Sequence, residues 1–239
     1  MNRPLGPTLF CLTVLPLLLG TVVVAFFILP EAPAPAKYAV VLPLAYLLGS
    51  IPWGYFFLQW FRGVDIREYG SGKTGMTNVL RTGGGRVAAA VLLLDLSKGI
   101  LVVLLAREVL GATSGEVTAG LLALAGHNWP VFLKFRGGRG IATGLGVLSV
   151  MAPIPALIGT MVFLPIILIS RYLSLGSIIG VVTASTSLLA LALLGMYSTT
   201  YTWYAVIGGA LIIWQHRDNI QRLLQGTERR LGAPAARIE

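Results

Sequence analysis

Apolar residues in this chain form long, nearly uninterrupted runs, neither the three-to-four-residue rhythm of a helix on a water-soluble protein nor the alternation of a half-buried strand. Eight such runs occur, at 8–30, 38–61, 87–106, 117–132, 141–151, 154–170, 175–196 and 201–214. At 1.5 Å per residue, a run of about 20 residues reaches across the hydrocarbon core of a bilayer. The pattern predicts an all-α, polytopic membrane helix bundle, with a seven-helix core preceded by one extra N-terminal transmembrane helix. The pair at 141–151 and 154–170 is the shortest and is punctuated by Pro153 and Pro155. Two regions follow. Residues 1–36 form an extension with one anchor and a Pro/Ala-rich, extended linker at 30–36. Residues 37–239 form the helical membrane domain with its loops and a basic C-terminal tail. Ala34-Pro35-Ala36 resembles a signal-peptide cleavage site, but the first run is long for such a signal and only Arg3 is basic before it, so an uncleaved anchor is expected.

The loops between the runs carry the charge. With alternate loops on opposite sides, Arg3, Arg62, Arg67, Lys73, Arg81, Arg86, Lys134, Arg136, Arg139, Arg171, Arg217, Arg222, Arg229, Arg230 and Arg237 share one face, and only Lys37 and Arg107 fall opposite. That asymmetry assigns the crowded face to the cytoplasm. Composition agrees, with 56% hydrophobic and 11% charged residues and a mean hydropathy of +0.81. The net charge of +9 is that of loops beside anionic lipid, and no nucleic-acid partner is expected. The single Cys11 makes no internal disulfide, and with only His127 and His216 as imidazoles neither a metal site nor a cofactor is expected.

Three polar segments share the crowded face. The stretch at 126–146, GHNWPVFLKFRGGRGIATGLG, sets Lys134, Arg136 and Arg139 among Gly137, Gly138 and Gly140. It reads equally as an anion cradle and as a loop whose cations orient neighbouring helices. The loop at 62–86 contains GSGKTGMTNVLRTGGG, which imitates two nucleotide motifs. The G-x-G-x-x-G spacing at Gly70–Gly75 lacks a preceding strand, and the P-loop reading puts Arg67 where a glycine is required, so neither stands. What remains is Gly72 for close backbone approach, neutral donors in Ser71, Thr77 and Asn78, and a planar cation in Arg81, an inventory suited to phosphate. In the third segment, WQHRDNIQR, an unbroken helix would put His216 and Asn219 on one face, with Arg222, Arg229 and Arg230 as interfacial cations. Asp95 and Lys98 stand three apart inside a run and are expected to pair structurally; His127 is expected to bond structurally at a helix end.

These blocks also carry a resemblance. From about Tyr38 onward the chain resembles the bacterial acyl-phosphate:glycerol-3-phosphate acyltransferases, integral membrane enzymes that make lysophosphatidic acid. GSGKTGMTNVLRTGG is similar to the family's GSGNxGATNxLRxxG, GHNWPVFLKFRGGRGIAT to its GHxxPVFLxFKGGKGVAT, and HRDNIQRLL to its HxxNIxRL, in the same order. The resemblance implies transfer of an acyl chain from long-chain acyl phosphate, rather than from acyl-CoA or acyl carrier protein, to the 1-hydroxyl of glycerol-3-phosphate. It further implies a bacterial cytoplasmic (inner) membrane location with cytoplasmic site loops. A protein working as a monomer in the lipid bilayer is expected. On this reading Ser71, Arg81, His216 and Asn219 serve the acceptor's phosphate, assisted by Ser174 and by Arg136 or Arg139, while the backbone of Gly137, Gly138 and Gly140 holds the acyl-phosphate group. His216 serves better as a phosphate donor than as a base, which favours proton transfer to a substrate phosphate. Departures exist: Lys73 stands for the family's Asn, Met76 for Ala, and Arg136 and Arg139 for lysines. An HxxxxD pair is absent. The alternatives are an organic-anion transporter and a non-catalytic relative.

Overall fold

A computed structural model describes residues 5–238; Arg3 lies outside them. All eight apolar runs are helical. The first comprises α1 (Leu5–Leu12) and α2 (Val14–Ile28), separated at Thr13, whose Oγ1 donates to the Leu9 carbonyl at 2.7 Å. The second is α3 (Ala34–Gly49) and α4 (Trp53–Arg62), interrupted where Pro52 removes a backbone donor. Then follow a short α5 (Met76–Gly83), the long α6 (Gly85–Leu110), α7 (Thr113–Asn128), α8 (Ile141–Met151), α9 (Pro153–Ser170) and α10 (Leu173–Leu193). The chain closes through a 3-10 turn at Thr199–Tyr201, a π-helical turn at Tyr204–Gly208, α11 (Gly209–Gln215) and α12 (Arg217–Leu224).

Among the described residues, five spans are long and apolar enough to cross a membrane: Gly6–Glu31, Ala34–Arg62, Gly85–Leu110, Pro153–Ser170 and Leu173–Leu193. Their outward faces carry Phe27, Leu168, Ile169 and Leu193 largely exposed, the surface expected of lipid-facing helices. The Pro/Ala linker differs from expectation. Leu29–Glu31 is a 3-10 turn and α3 already begins at Ala34, because Pro30 and Pro35 sit in first turns, where a missing N–H costs nothing. The N-terminal helix is packed against the bundle. Leu18, Val22 and Ala25 share a buried cluster with Val41, Leu44, Val102 and Leu105, and the Phe10 ring lies 4.8 Å from both Phe56 and Phe132.

The hub is α6, which packs on α2, α3, α4, α5, α7 and α8. Its approach to α8 is close enough that a Cβ on Gly99 would overlap the Thr143 carbonyl, and one on Gly146 the Leu96 carbonyl. Gly159, Gly176 and Gly180 play the same part between α9 and α10. Inside the bundle Lys98 Nζ lies 2.9 Å from Asp95 and donates to the Ile51 carbonyl at 3.1 Å, the expected pair. Near the C-terminal end of α6, Arg107 reaches Glu116 at 2.8 Å, the Tyr201 hydroxyl donates to the same carboxylate at 2.9 Å, and Arg107 also donates to the Val150 carbonyl.

Candidate active site

The three polar segments converge on one cavity of about 80 Å³. The loop after α4 and the start of α5 contribute Ser71, Lys73, Thr77, Asn78 and Arg81; the residues before α8 contribute Arg139 and Gly140. Ser174 and Ser177 come from α10, His216 and Asn219 from the junction of α11 and α12, Asp95 from α6, His127 from α7 and Glu228 from the tail. Gly72, Arg136, Gly137 and Gly138 do not line it.

The first loop is held by Asn78. Its amide donates to the carbonyls of Ile66, Tyr69 and Lys73 at 3.3, 2.8 and 3.0 Å, and its Oδ1 accepts the Ser71 N–H at 3.2 Å. Its hydrogen-bonding capacity is therefore spent on the loop, and Asn78 positions Ser71 rather than offering itself as a ligand. Gly72 turns the other way, towards the Arg67 carbonyl and Ile238. The tail pairs alongside, with the Gly70 N–H donating to Ala236 and the Ile238 N–H to Glu68.

The glycine loop corrects a second expectation. The Gly138 N–H donates to the His127 carbonyl at 3.0 Å, and a Cβ on Gly138 would run into the His127 ring. Gly137 and Gly138 are thus glycines because the loop lies flat on the end of α7, not because their backbone cradles a ligand. Lys134 and Phe135 both adopt left-handed backbone angles, φ 53° and 61°. Beyond this turn Arg136 is exposed, whereas Arg139 points inward and its Nε donates to the Gln215 carbonyl at 3.2 Å. Burial, with nearby Arg222, brings the Arg139 guanidinium down to about 10, so it stays charged at neutral pH.

Helix α11 ends at Gln215 and α12 starts at Arg217, so the third segment is broken at His216, yet His216 and Asn219 both face the cavity. His216 Nδ1 is 2.9 Å from the Ile212 carbonyl, which only accepts, so the proton sits on Nδ1. Burial, reinforced by Arg139, lowers the ring to about 4. A neutral His216 with Nδ1–H presents Nε2 as an acceptor, which corrects the expectation of a phosphate donor.

Glu228 was invisible to sequence reasoning. Its carboxylate is buried and accepts from Ser174 Oγ at 3.0 Å, Asn219 Nδ2 at 2.9 Å and Arg222 Nε at 2.7 Å. Arg222 is accordingly paired rather than a free interfacial cation. The one signal available was a lone acid among arginines in QGTERR. Arg81 donates to the Arg229 carbonyl, while among the described residues Arg81 Nε and Asn219 Oδ1 are buried without a partner, the condition expected of atoms kept for a ligand. Burial also lowers the Arg81 guanidinium from its ordinary value. Because the two lining carboxylates are paired, Asp95 with Lys98 and Glu228 with Arg222, the cations Lys73, Arg81 and Arg139 leave the cavity positive.

A second, apolar cavity of about 300 Å³ lies among α6, α8, α9, α10 and the π-helical turn. It shares Met76, Leu92, Ile141, Ala142, Phe163 and Ser177 with the polar one. Tyr204, Ala205 and Gly208 of the π-helical turn form part of its wall.

Residues 39–226 match a family model described as glycerol-3-phosphate acyltransferase. A relative named glycerol-3-phosphate acyltransferase 3, from Dehalococcoides mccartyi, is 48% identical over 208 residues, covering 82% of this chain and 96% of that one. The glycerol-3-phosphate acyltransferase of a Thermoanaerobacter species is 46% identical over 196 residues with the same coverage. Among solved structures, PlsY (YgiH), an integral membrane glycerol 3-phosphate acyltransferase in its glycerol 3-phosphate form, superposes with a TM-score of 0.76 at 40% identity, covering 82% of this chain and 96% of that one. Its lysophosphatidic acid form superposes with a TM-score of 0.72 at 38% identity and the same coverage.

Proposed function

The chain belongs to the glycerol-3-phosphate acyltransferase family, and from that premise we propose that it uses acyl phosphate as donor, giving lysophosphatidic acid and inorganic phosphate. The observation that carries this reading is the shared wall between a cationic cavity and a larger apolar one. Such a junction suits a substrate with a phosphoryl head and a long chain, its carbonyl lying between. The acceptor's phosphate is assigned to Ser71, Arg81, Ser174 and Asn219, with Arg139 beside them, and Asn78 and Glu228 hold these groups in place.

In the reaction the acceptor's 1-hydroxyl oxygen bonds to the carbonyl carbon, the carbon–oxygen bond to phosphate breaks, and the hydroxyl proton must be taken up. His216 Nε2 is free to accept a hydrogen bond from that hydroxyl, but a ring at about 4 is a weak proton acceptor. A phosphate monoester oxygen, with a second pKa of about 6, holds the proton about 100-fold more tightly. His216 therefore orients the hydroxyl and the proton ends on phosphate. A functional monomer is part of the same proposal. The crowding of Lys and Arg on the site's face supports a cytoplasmic site in the bacterial inner membrane.

The test is purified protein with palmitoyl phosphate and labelled glycerol-3-phosphate, with palmitoyl-CoA as rival donor. Labelled lysophosphatidate should form from the phosphate donor. Formation from the CoA ester alone would overturn the proposal.

A further inference from the structure

We propose that Lys73, standing where relatives' motif has Asn, forms with Arg139 a second anion subsite that holds the donor's phosphoryl group and, after transfer, the departing inorganic phosphate. The proposal rests on the acyl-phosphate reading above and adds a residue that the motif does not supply.

Lys73 lines the polar cavity, and among the described residues its ammonium has neither an ion pair nor a hydrogen bond. Its backbone is fixed, because its carbonyl accepts from Asn78 at 3.0 Å. The loops that carry Lys73 and Arg139 are bonded to each other, the Thr74 N–H donating to the Gly137 carbonyl at 3.4 Å, and both side chains line the cavity. Arg81 enters instead from α5, with its guanidinium bonded to the tail at the Arg229 carbonyl. The single cavity therefore has an Arg81 side and a Lys73–Arg139 side.

Two phosphoryl groups must be held together while the hydroxyl attacks, and their mutual repulsion is relieved only if each meets positive charge. The Arg81 side, with Ser174 and Asn219, is the acceptor's. The remaining side adjoins the apolar cavity through Met76, three residues after Lys73, and Ile141, two residues after Arg139. A chain lying in the apolar cavity thus brings its head to this cation pair. Burial and the neighbouring Arg139 lower the Lys73 ammonium from its ordinary value, and an incoming dianion reverses that penalty by supplying the missing counter-charge.

The experiment compares wild type, Lys73→Asn and Lys73→Arg. Expected for Lys73→Asn is a rise of about tenfold or more in KM for palmitoyl phosphate, KM for glycerol-3-phosphate within about twofold, and a similarly weakened product inhibition by inorganic phosphate. Lys73→Arg should restore all three. An unchanged donor KM, or a rise confined to the glycerol-3-phosphate KM, overturns the assignment. A wild type inactive with palmitoyl phosphate sinks the donor reading instead. In that event Lys73 is judged by thermal stabilisation with inorganic phosphate at saturating glycerol-3-phosphate, which Lys73→Asn must lose; equal stabilisation of both proteins refutes the subsite.

Discussion

Replacing Glu228 by Ala removes the acceptor that holds Ser174, Asn219 and Arg222, at 3.0, 2.9 and 2.7 Å. Arg222 has a quarter of its side chain in solvent and finds water instead; Ser174 and Asn219 are buried and do not. Each buried donor left unsatisfied costs about 1–3 kcal/mol, so the variant should lose about 2–6 kcal/mol, shared between folding and transition-state binding. If half of that reaches the active site, kcat/KM for glycerol-3-phosphate falls by about 5- to 150-fold. Glu228→Gln separates the possible causes. Its Oε1 still accepts from Ser174 and Asn219, and only the partly solvated Arg222 contact is lost, at a cost of about 1 kcal/mol. Initial rates over glycerol-3-phosphate concentration, with thermal unfolding in the same detergent, should rank wild type above Gln and Gln well above Ala. An Ala variant with wild-type kcat/KM and melting temperature would refute the reasoning, and a Gln variant as poor as Ala would show that charge, not an acceptor oxygen, is what Ser174 and Asn219 need.

Three further outcomes are expected. His216 is held at about 4 against an ordinary 6.5, so between those values the folded state binds fewer protons than the unfolded one and stability rises with pH. About 3 kcal/mol is fully present above pH 6.5 and is lost as pH falls towards 4, so unfolding curves of His216→Gln should be flatter over that window; a parallel pH dependence contradicts it. Gly99→Ala drives a methyl into the Thr143 carbonyl and should destabilise by about 1–3 kcal/mol while lowering activity, since α6 and α8 both wall the site; an unshifted melting temperature refutes the close crossing. Glu116→Gln weakens the contacts to Arg107 and Tyr201 at the far end of α6 and should cost about 1–2 kcal/mol of stability, with kcat of the folded enzyme within twofold; a specific loss of kcat would show coupling to the site.

The helices were legible because uninterrupted apolar runs have few options in lipid; the run at 141–151 coincides with α8. The linker was not, because proline signals a break in mid-helix and a start in a first turn, and sequence does not say which. At the site, Ser71, Arg81, Arg139, His216 and Asn219 stood out as polar groups in an apolar chain. Choosing Arg139 over Arg136 needed the left-handed backbone at Lys134 and Phe135, which local pattern does not disclose. Gly137 and Gly138 misled because close packing and ligand approach both demand glycine. The His216 tautomer follows from a carbonyl four residues earlier and was within reach of helix geometry. Glu228 was not, since its partner Ser174 lies 54 residues away.

The wall shared by the two cavities makes the enzyme answer to two solvents. Leu164, at the apolar cavity, is itself half exposed, so a donor chain held there would arrive sideways from the bilayer. Its working concentration is then a mole fraction in lipid, not a molarity in water. Diluting the donor with inert detergent or phospholipid at constant bulk concentration should slow the reaction while leaving the glycerol-3-phosphate KM in place. A product seated in the same way, head in the cationic cavity and chain in the apolar one, would be released into the leaflet in which it was made.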